Sequence, residues 1–139
     1  MRITVEITIK APLEAVWEAW TKPSIIQQWN GASQAWYCPH AAIDLHEGGR
    51  FDYQLEHQAG EHSFRASGTF TRLKLLRLIH YKLDDGRQVE IDFEEHDQHI
   101  RIRQTFDIAP HTSIEAQRAK WQDILSYFKK VVETNALLS

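Results

Sequence analysis

Residues 89–106 read VEIDFEEHDQHIRIRQTF, and the fold turns on how this stretch doubles back on itself. A turn at Asp97-Gln98 sets Phe93 against Ile102 and Ile91 against Gln104 on one face, with Glu94 against Arg101 and Asp92 against Arg103 on the other. Opposite charges then meet on one side, and apolar residues with Gln104 among them on the other. Two independent patterns therefore select a single antiparallel register.

Working upstream, Asp84-Asp85-Gly86 signals another hairpin. A two-residue turn at Asp85-Gly86 sets His80 opposite Ile91 and Leu78 opposite Phe93, which carries His80 to the apolar face. A three-residue loop shifts the pairing by one and carries Ile79 and Tyr81 there instead. The two-residue turn is the preferred reading. Further upstream, the alternating runs at Ile43 and Leu45, at Phe51, Tyr53 and Leu55, and at Phe64, Ala66 and Phe70 are punctuated by Gly48-Gly49 and Ala59-Gly60, so three more strands of a meander are expected. Residues 31–40, which hold Trp36, Tyr37, Cys38 and Pro39 without periodicity, read as an aromatic-rich loop after the Asn30-Gly31 turn signal.

At the amino terminus Ile3, Val5, Ile7 and Ile9 alternate with polar residues, predicting a strand with one buried face. Pro12 is placed as the first residue of a helix carrying Leu13, Val16, Trp17 and Trp20, and Lys22-Pro23 opens a second short helix to about Trp29. Downstream of Pro110, Ser113 is a natural N-cap for a helix with Ile114, Trp121, Ile124, Leu125, Phe128, Val131 and Val132 at three-to-four-residue spacing. Extended to about Asn135, it would run for about 34 Å, long enough to lie across a six- or seven-stranded sheet. The order is β-α-α-β₆-α, an α+β arrangement in which a twisted antiparallel sheet wraps one long helix and leaves a gap where they diverge.

The chain of 139 residues is read as one domain over 1–139, because about two thirds of the surface of a chain this long is buried on folding. Sixteen basic against nineteen acidic residues leave a net charge of −3, and no segment groups cations without acids interleaved, so nucleic acid and membrane are excluded as expected partners. The single cysteine and the amino-terminal alternation, which is neither a signal peptide nor a membrane span, give a cytoplasmic expectation. Sheet edges permit either a monomer or a homodimer.

The ordered set Ile9-x-Ala11-Pro12-x-Glu14-x-Val16-Trp17, Trp20-Thr21-x-Pro23, Gln28-Trp29, Gly48-Gly49-x-Phe51, Gly68 and Trp121-x-x-Ile124-Leu125 resembles the family related to the C-terminal domain of the activator of the Hsp90 ATPase. That family belongs to the START-like (SRPBCC) helix-grip superfamily. The resemblance implies a curved sheet gripping the C-terminal helix, with a cavity that in many relatives accepts a small hydrophobic ligand. It does not imply one activity, since such folds serve carriers, receptors, cyclases and dehydratases. Two positions depart from the pattern. Asn30 stands where a second aromatic often follows the Gln-Trp tryptophan, which would change the polarity of the cavity mouth. Lys120 stands where a glycine commonly precedes the closing tryptophan, which would hold the helix less closely on the sheet.

Eight histidines invite a metal reading, but His96-x-x-His99 beside Glu95 has no third ligand set by spacing, and no metal or other cofactor is expected. His57 and His62 read as exposed turn residues. Cys38-Pro39-His40 lacks an assignable orienter for a nucleophilic thiol. Glu94-Glu95 and Asp84-Asp85 read as structural, the first through its arginine partner and the second as a turn.

The candidate ligand-binding set is therefore Trp29, Trp36, Tyr53, His80, Gln104, Trp121 and Leu125, with Trp17 and Trp20 assigned to packing. A small-molecule-binding protein is the leading expectation, holding a hydrophobic or aromatic ligand between sheet and helix. One alternative is an Hsp90 co-chaperone, against which the chain begins at its first strand without the additional N-terminal domain of full-length activators. The other is a cyclase- or dehydratase-type enzyme using His80 as base, with Tyr53 or Gln104 stabilising an enolate.

Overall fold

A computed structural model describes residues 2–30, 36–60 and 63–138. The amino-terminal alternation forms β1 (Arg2–Ile9), with Ile3, Val5 and Ile9 buried. Pro12 is the N-cap of α1 (Leu13–Thr21) rather than its first residue, and its carbonyl accepts the first helical bond from Val16 N at 3.1 Å. Pro23 opens α2 (Pro23–Trp29) at a position where a missing N–H costs nothing.

Six strands follow: β2 (Trp36–Ile43), β3 (Arg50–His57), β4 (Ser63–Lys74), β5 (Leu78–Leu83), β6 (Gln88–His96) and β7 (His99–Asp107). With β1 they form one curled antiparallel sheet in the order β1-β7-β6-β5-β4-β3-β2. α3 (Ile114–Leu138) closes the chain. The Ser113 hydroxyl accepts from Ala116 N at 3.1 Å and caps it, as its position before the helical periodicity foretells. This is the α+β arrangement expected from the element order, and the helix-grip architecture that the family resemblance implies.

The expected loop over 31–40 is corrected in its second half. Residues 36–40 belong to β2, whose pairing with β3 is broken by a bulge between Tyr37 and His40. The bulge hides the period of two, and Pro39 is tolerated because β2 is an edge strand. Its outward carbonyls are met by α2, where Gln27 Nε2 donates to Pro39 O at 2.8 Å and to Cys38 O at 3.3 Å. Residues 31–35 of the expected loop, the Gly31 half of its turn signal, and His62 lie outside the described residues.

The opposite edge is met in the same way: Gln122 Nε2 of α3 donates to Glu6 O at 3.1 Å, and Glu133 accepts from Lys10 N at 2.8 Å. Both edge strands thus spend backbone groups on helix side chains, which blunts the edges as docking templates.

The β6–β7 register is the one that charge pairing selects, with Phe93 against Ile102, Ile91 against Gln104, Asp92 against Arg103 and Glu94 against Arg101. The β5–β6 register is not the two-residue reading. Ile79 pairs with Ile91 and His80 with Glu90, because the loop is the three residues Asp84-Asp85-Gly86, closed by Leu83 N to Arg87 O at 2.8 Å. Gly86, at φ +98°, supplies the left-handed residue that such a loop needs. The slip of one residue moves every β5 side chain to the other face.

Candidate functional site

α3 runs closest to β1 and diverges from β3, β4 and β5. Between α3 and that flank lies a cavity of about 520 Å³. Its walls come from alternate residues of three strands: Phe51 and Tyr53 of β3, Ala66 and Phe70 of β4, Ile79 and Tyr81 of β5. Phe51 ties them together, with ring centroids 5.1 Å from Tyr53, 5.3 Å from Phe70 and 4.8 Å from Tyr81. The ring edge of Phe51 lies over Gly68 on β4, where a Cβ would strike it at 3.0 Å and would also strike the Lys82 carbonyl. Gly68 is what lets this aromatic wall lie flat on the sheet. The roof is Trp121 and Ile124 of α3, with Trp121 stacked on Phe106 at 3.9 Å and 9°.

Three neutral polar groups interrupt the apolar lining. Gln104 of β7 is 4 % exposed and stands beside the Tyr81 phenol. Burial pushes the phenols of Tyr53 and Tyr81 well above the ordinary tyrosine value, the second despite the opposing influence of Arg87 and Gln104. Both phenols therefore stay protonated and present donors at neutral pH. The rim is charged. Asp84 accepts from Arg50 Nη2 at 2.8 Å and from Ser67 Oγ at 2.6 Å, contacts that hold its carboxyl below the usual range. Arg65 stands 3.2 Å from Asp52, and Arg87 Nε donates to Asp85 at 2.9 Å.

Of the candidate binding residues, the fold brings Trp29, Trp36, Tyr53, Gln104 and Trp121 to this cavity. Trp29 is mostly a packing residue: it is 4 % exposed, donates Nε1 to Ala19 O at 2.8 Å, and lies 4.9 Å from the Phe128 ring. Trp36 sits at the opening, edge-on to His57 at 5.1 Å, so His57 is half-buried rather than exposed.

Two residues are corrected. His80 is on the outer face, its Nε2 3.1 Å from Asp92 Oδ1, because of the one-residue difference in the β5–β6 loop. The position expected for it belongs to Tyr81 and Ile79, and the proposed enzyme base is lost with it. Leu125 is fully buried in the core and does not face the cavity; one step of about 100° around α3 brings Ile124 there instead.

Trp20, Phe51, Tyr81 and Arg87 are lining residues that sequence reasoning missed. The three-residue alternative for the β5–β6 loop was the signal for Tyr81, and the periodicity of α1 marked Trp20 only as buried.

The Cys38 thiol is 4 % exposed and donates to His40 O at 3.2 Å, and burial pushes it up, so it is a neutral packing group rather than an activated nucleophile. Glu94 faces Arg101 in the register, but its ion contacts are with Arg103 Nη1 at 3.9 Å and with His96 at 3.2 Å. No helix of the described residues is long and apolar enough to cross a membrane.

A curled seven-stranded sheet closed by a C-terminal helix, with two short helices after the first strand, is the setting for the comparisons. The family model described as Activator of Hsp90 ATPase homolog 1-like protein matches residues 10–133. The chain belongs to this family. The AHSA1-like protein from Aeromonas hydrophila, solved in solution, is 36% identical over 99% of this chain and 95% of its own, with a TM-score of 0.93. Chr148 from Cytophaga hutchinsonii is 37% identical over 96% of this chain and 93% of its own, with a TM-score of 0.84. CV1439 from Chromobacterium violaceum shares the fold at 19% identity, covering 96% of this chain and 98% of its own, with a TM-score of 0.83. Among proteins of curated function, none matches the chain. Both departures from the family pattern noted in the sequence, Asn30 and Lys120, line the cavity of this AHSA1-like chain.

Proposed function

We propose that the protein binds a small hydrophobic or aromatic ligand in the cavity between α3 and β3–β5, with residues 1–139 acting as one START-like unit. The observation that carries this reading is the cavity itself. Its volume of about 520 Å³ lies within the range of small-molecule pockets, and its lining is mainly apolar, with aromatic rings on wall and roof and a few convergent polar groups. Trp121 and Phe51 supply flat apolar surface, while Tyr53, Tyr81 and Gln104 supply hydrogen bonds that orient a carbonyl or hydroxyl on the ligand. The membership of an AHSA1-like family with a ligand-compatible fold supports the same reading. A cytoplasmic setting is part of it, resting on the lone buried thiol.

The test is a titration with the neutral fluorophore N-phenylnaphthylamine, in wild type and in Ala66→Leu. Ala66 faces the cavity from β4, and a leucine there occupies part of the space. Saturable binding to wild type, weakened about tenfold in A66L with an unreduced Tm, is the expected result. No saturable binding to wild type, or equal binding to both proteins, overturns the reading.

The second reading is stimulation of an Hsp90-type ATPase, favoured by the description of the family model alone. An ATPase assay with and without the protein decides it, and an unchanged rate removes it.

A further inference from the structure

Arg87 occupies a distinct place among the charged residues at the rim. It follows the three-residue β5–β6 loop and lines the cavity, and its side chain is 28 % exposed while that of its partner Asp85 is 54 % exposed. Asp85 holds it from one side only. One carboxylate oxygen accepts from Arg87 N at 3.0 Å and the other from Nε at 2.9 Å. Among the described residues, no hydrogen bond is made by the terminal Nη1 and Nη2. A guanidinium bound through Nε presents its remaining edge, two parallel N–H groups, in a fixed direction, which is the geometry that recognises carboxylate and sulfonate oxygens in pairs.

The other rim charges are more exposed. Asp84 is held by Arg50, and Arg65 is held through Nε as Arg87 is, 3.2 Å from Asp52, but its side chain is 66 % exposed against 28 % for Arg87. Lys120 lines the same cavity from α3, and its neighbour Trp121 forms the roof, so a ligand body lying under the indole has its outer end at the rim. The remaining polar lining, the Tyr53 and Tyr81 hydroxyls and the Gln104 amide, is neutral and supplies hydrogen bonds but no charge of its own.

Resting on the reading of the cavity as a ligand site, we infer that its ligand is an amphipathic monoanion. Its apolar body lies under Trp121, and its single carboxylate or sulfonate-like group sits at the rim on the Nη edge of Arg87. Apolar walls around a charged rim concentrate the field at the opening, so the anion adds orientation as well as affinity.

Two fluorophores that share one aromatic body separate this inference from the reading beneath it. Anilinonaphthalene sulfonate carries the anion and N-phenylnaphthylamine lacks it. Wild type is expected to bind the sulfonate about tenfold more tightly than the amine, and that preference should shrink as salt is raised. Arg87→Met, which keeps the apolar stem and leaves Asp85 on the Arg87 backbone N–H, should lower sulfonate affinity about tenfold more than amine affinity. Arg87→Lys should restore part of the difference. Equal affinities of wild type for the two probes overturn the anion at the rim while leaving the cavity reading intact, as does an R87M loss that is the same for both. Failure of both probes to bind wild type overturns the cavity reading and the inference with it. The salt dependence is read on wild type alone, so the inference remains falsifiable if a variant fails to fold.

Discussion

One sheet carries two flanks with the same alternation and opposite outcomes. On the β1-β7-β6 flank, Val5, Ile91, Phe93, Ile100 and Ile102 are buried against α1 and α3, and aromatic rings from separate elements close the gaps. The Trp17 and Phe93 rings meet at 5.3 Å, and those of Trp20 and Phe128 at 4.7 Å. On the β3-β4-β5 flank the inward residues are no less apolar, yet the helix does not reach them, and Phe51, Tyr53, Phe70 and Tyr81 pack on one another instead. The comparison teaches that patterning sets which face is apolar, whereas the distance from the helix sets whether that face becomes core or cavity. A curled sheet cannot stay equidistant from a straight helix, and here the divergence falls on the side where large aromatic residues span part of the gap.

The largest expected effect tests that contrast directly. Phe128→Ala on the closed flank removes a fully buried ring packed against both Trp20 and Trp29 and should cost about 3–5 kcal/mol, read as a loss of Tm. Tyr53→Phe on the open flank should cost less than about 1 kcal/mol, since its hydroxyl faces a cavity rather than a packed neighbour. Equal losses from the two would erase the distinction between flanks.

Gly68→Ala probes the wall itself. The added methyl meets the Phe51 ring and the Lys82 carbonyl, so strand and ring must shift, with an expected loss of about 1–3 kcal/mol. Displaced Phe51 should also change the tyrosine environment in near-ultraviolet circular dichroism, and an unchanged spectrum and Tm would refute the close approach.

The smallest effect concerns pH. Asp107, on the closed flank, is held below the usual carboxylate range chiefly by the Gln88 backbone N–H at 2.8 Å and then by Arg2; Asp84, at the cavity rim, is held low by Arg50 and Ser67. A carboxyl whose folded-state value is depressed contributes stability that is fully present above its unfolded value and lost as the pH falls through the folded one. Both groups are exposed, so screening keeps each contribution small. Urea midpoints followed from about pH 6 down to about pH 3 should therefore fall less steeply in Asp107→Asn and Asp84→Asn than in wild type. Curves parallel to the wild-type curve would show that these bonds do not favour the ionised form.

Much of the fold is legible in particular residues. The Glu94–Arg101 and Asp92–Arg103 pairs set the last hairpin, Pro23 marks the start of α2, and Ser113 marks the start of α3. Less of the candidate site is legible. Tyr53, Gln104 and Trp121 are found because their neighbours carry a clean period. His80 is misplaced because Asp-Asp-Gly supports loops of two or three residues, and one residue decides between imidazole and phenol on the inner face. Leu125 is misplaced because a helical stripe several residues wide does not say which of its edges meets the sheet and which meets empty space.

The sequence alone establishes the order of elements, the apolar face of most of them and the register of the hairpin whose opposite charges face each other, because these depend on local conformation and on neighbours across a single turn. Only the tertiary structure decided that α3 leans toward β1, that Phe51 lies over Gly68, and that Arg87 lines the same cavity as Lys120. Those outcomes depend on how a twisted sheet and a rigid helix divide the space between them, a balance summed over the whole core that no segment carries alone.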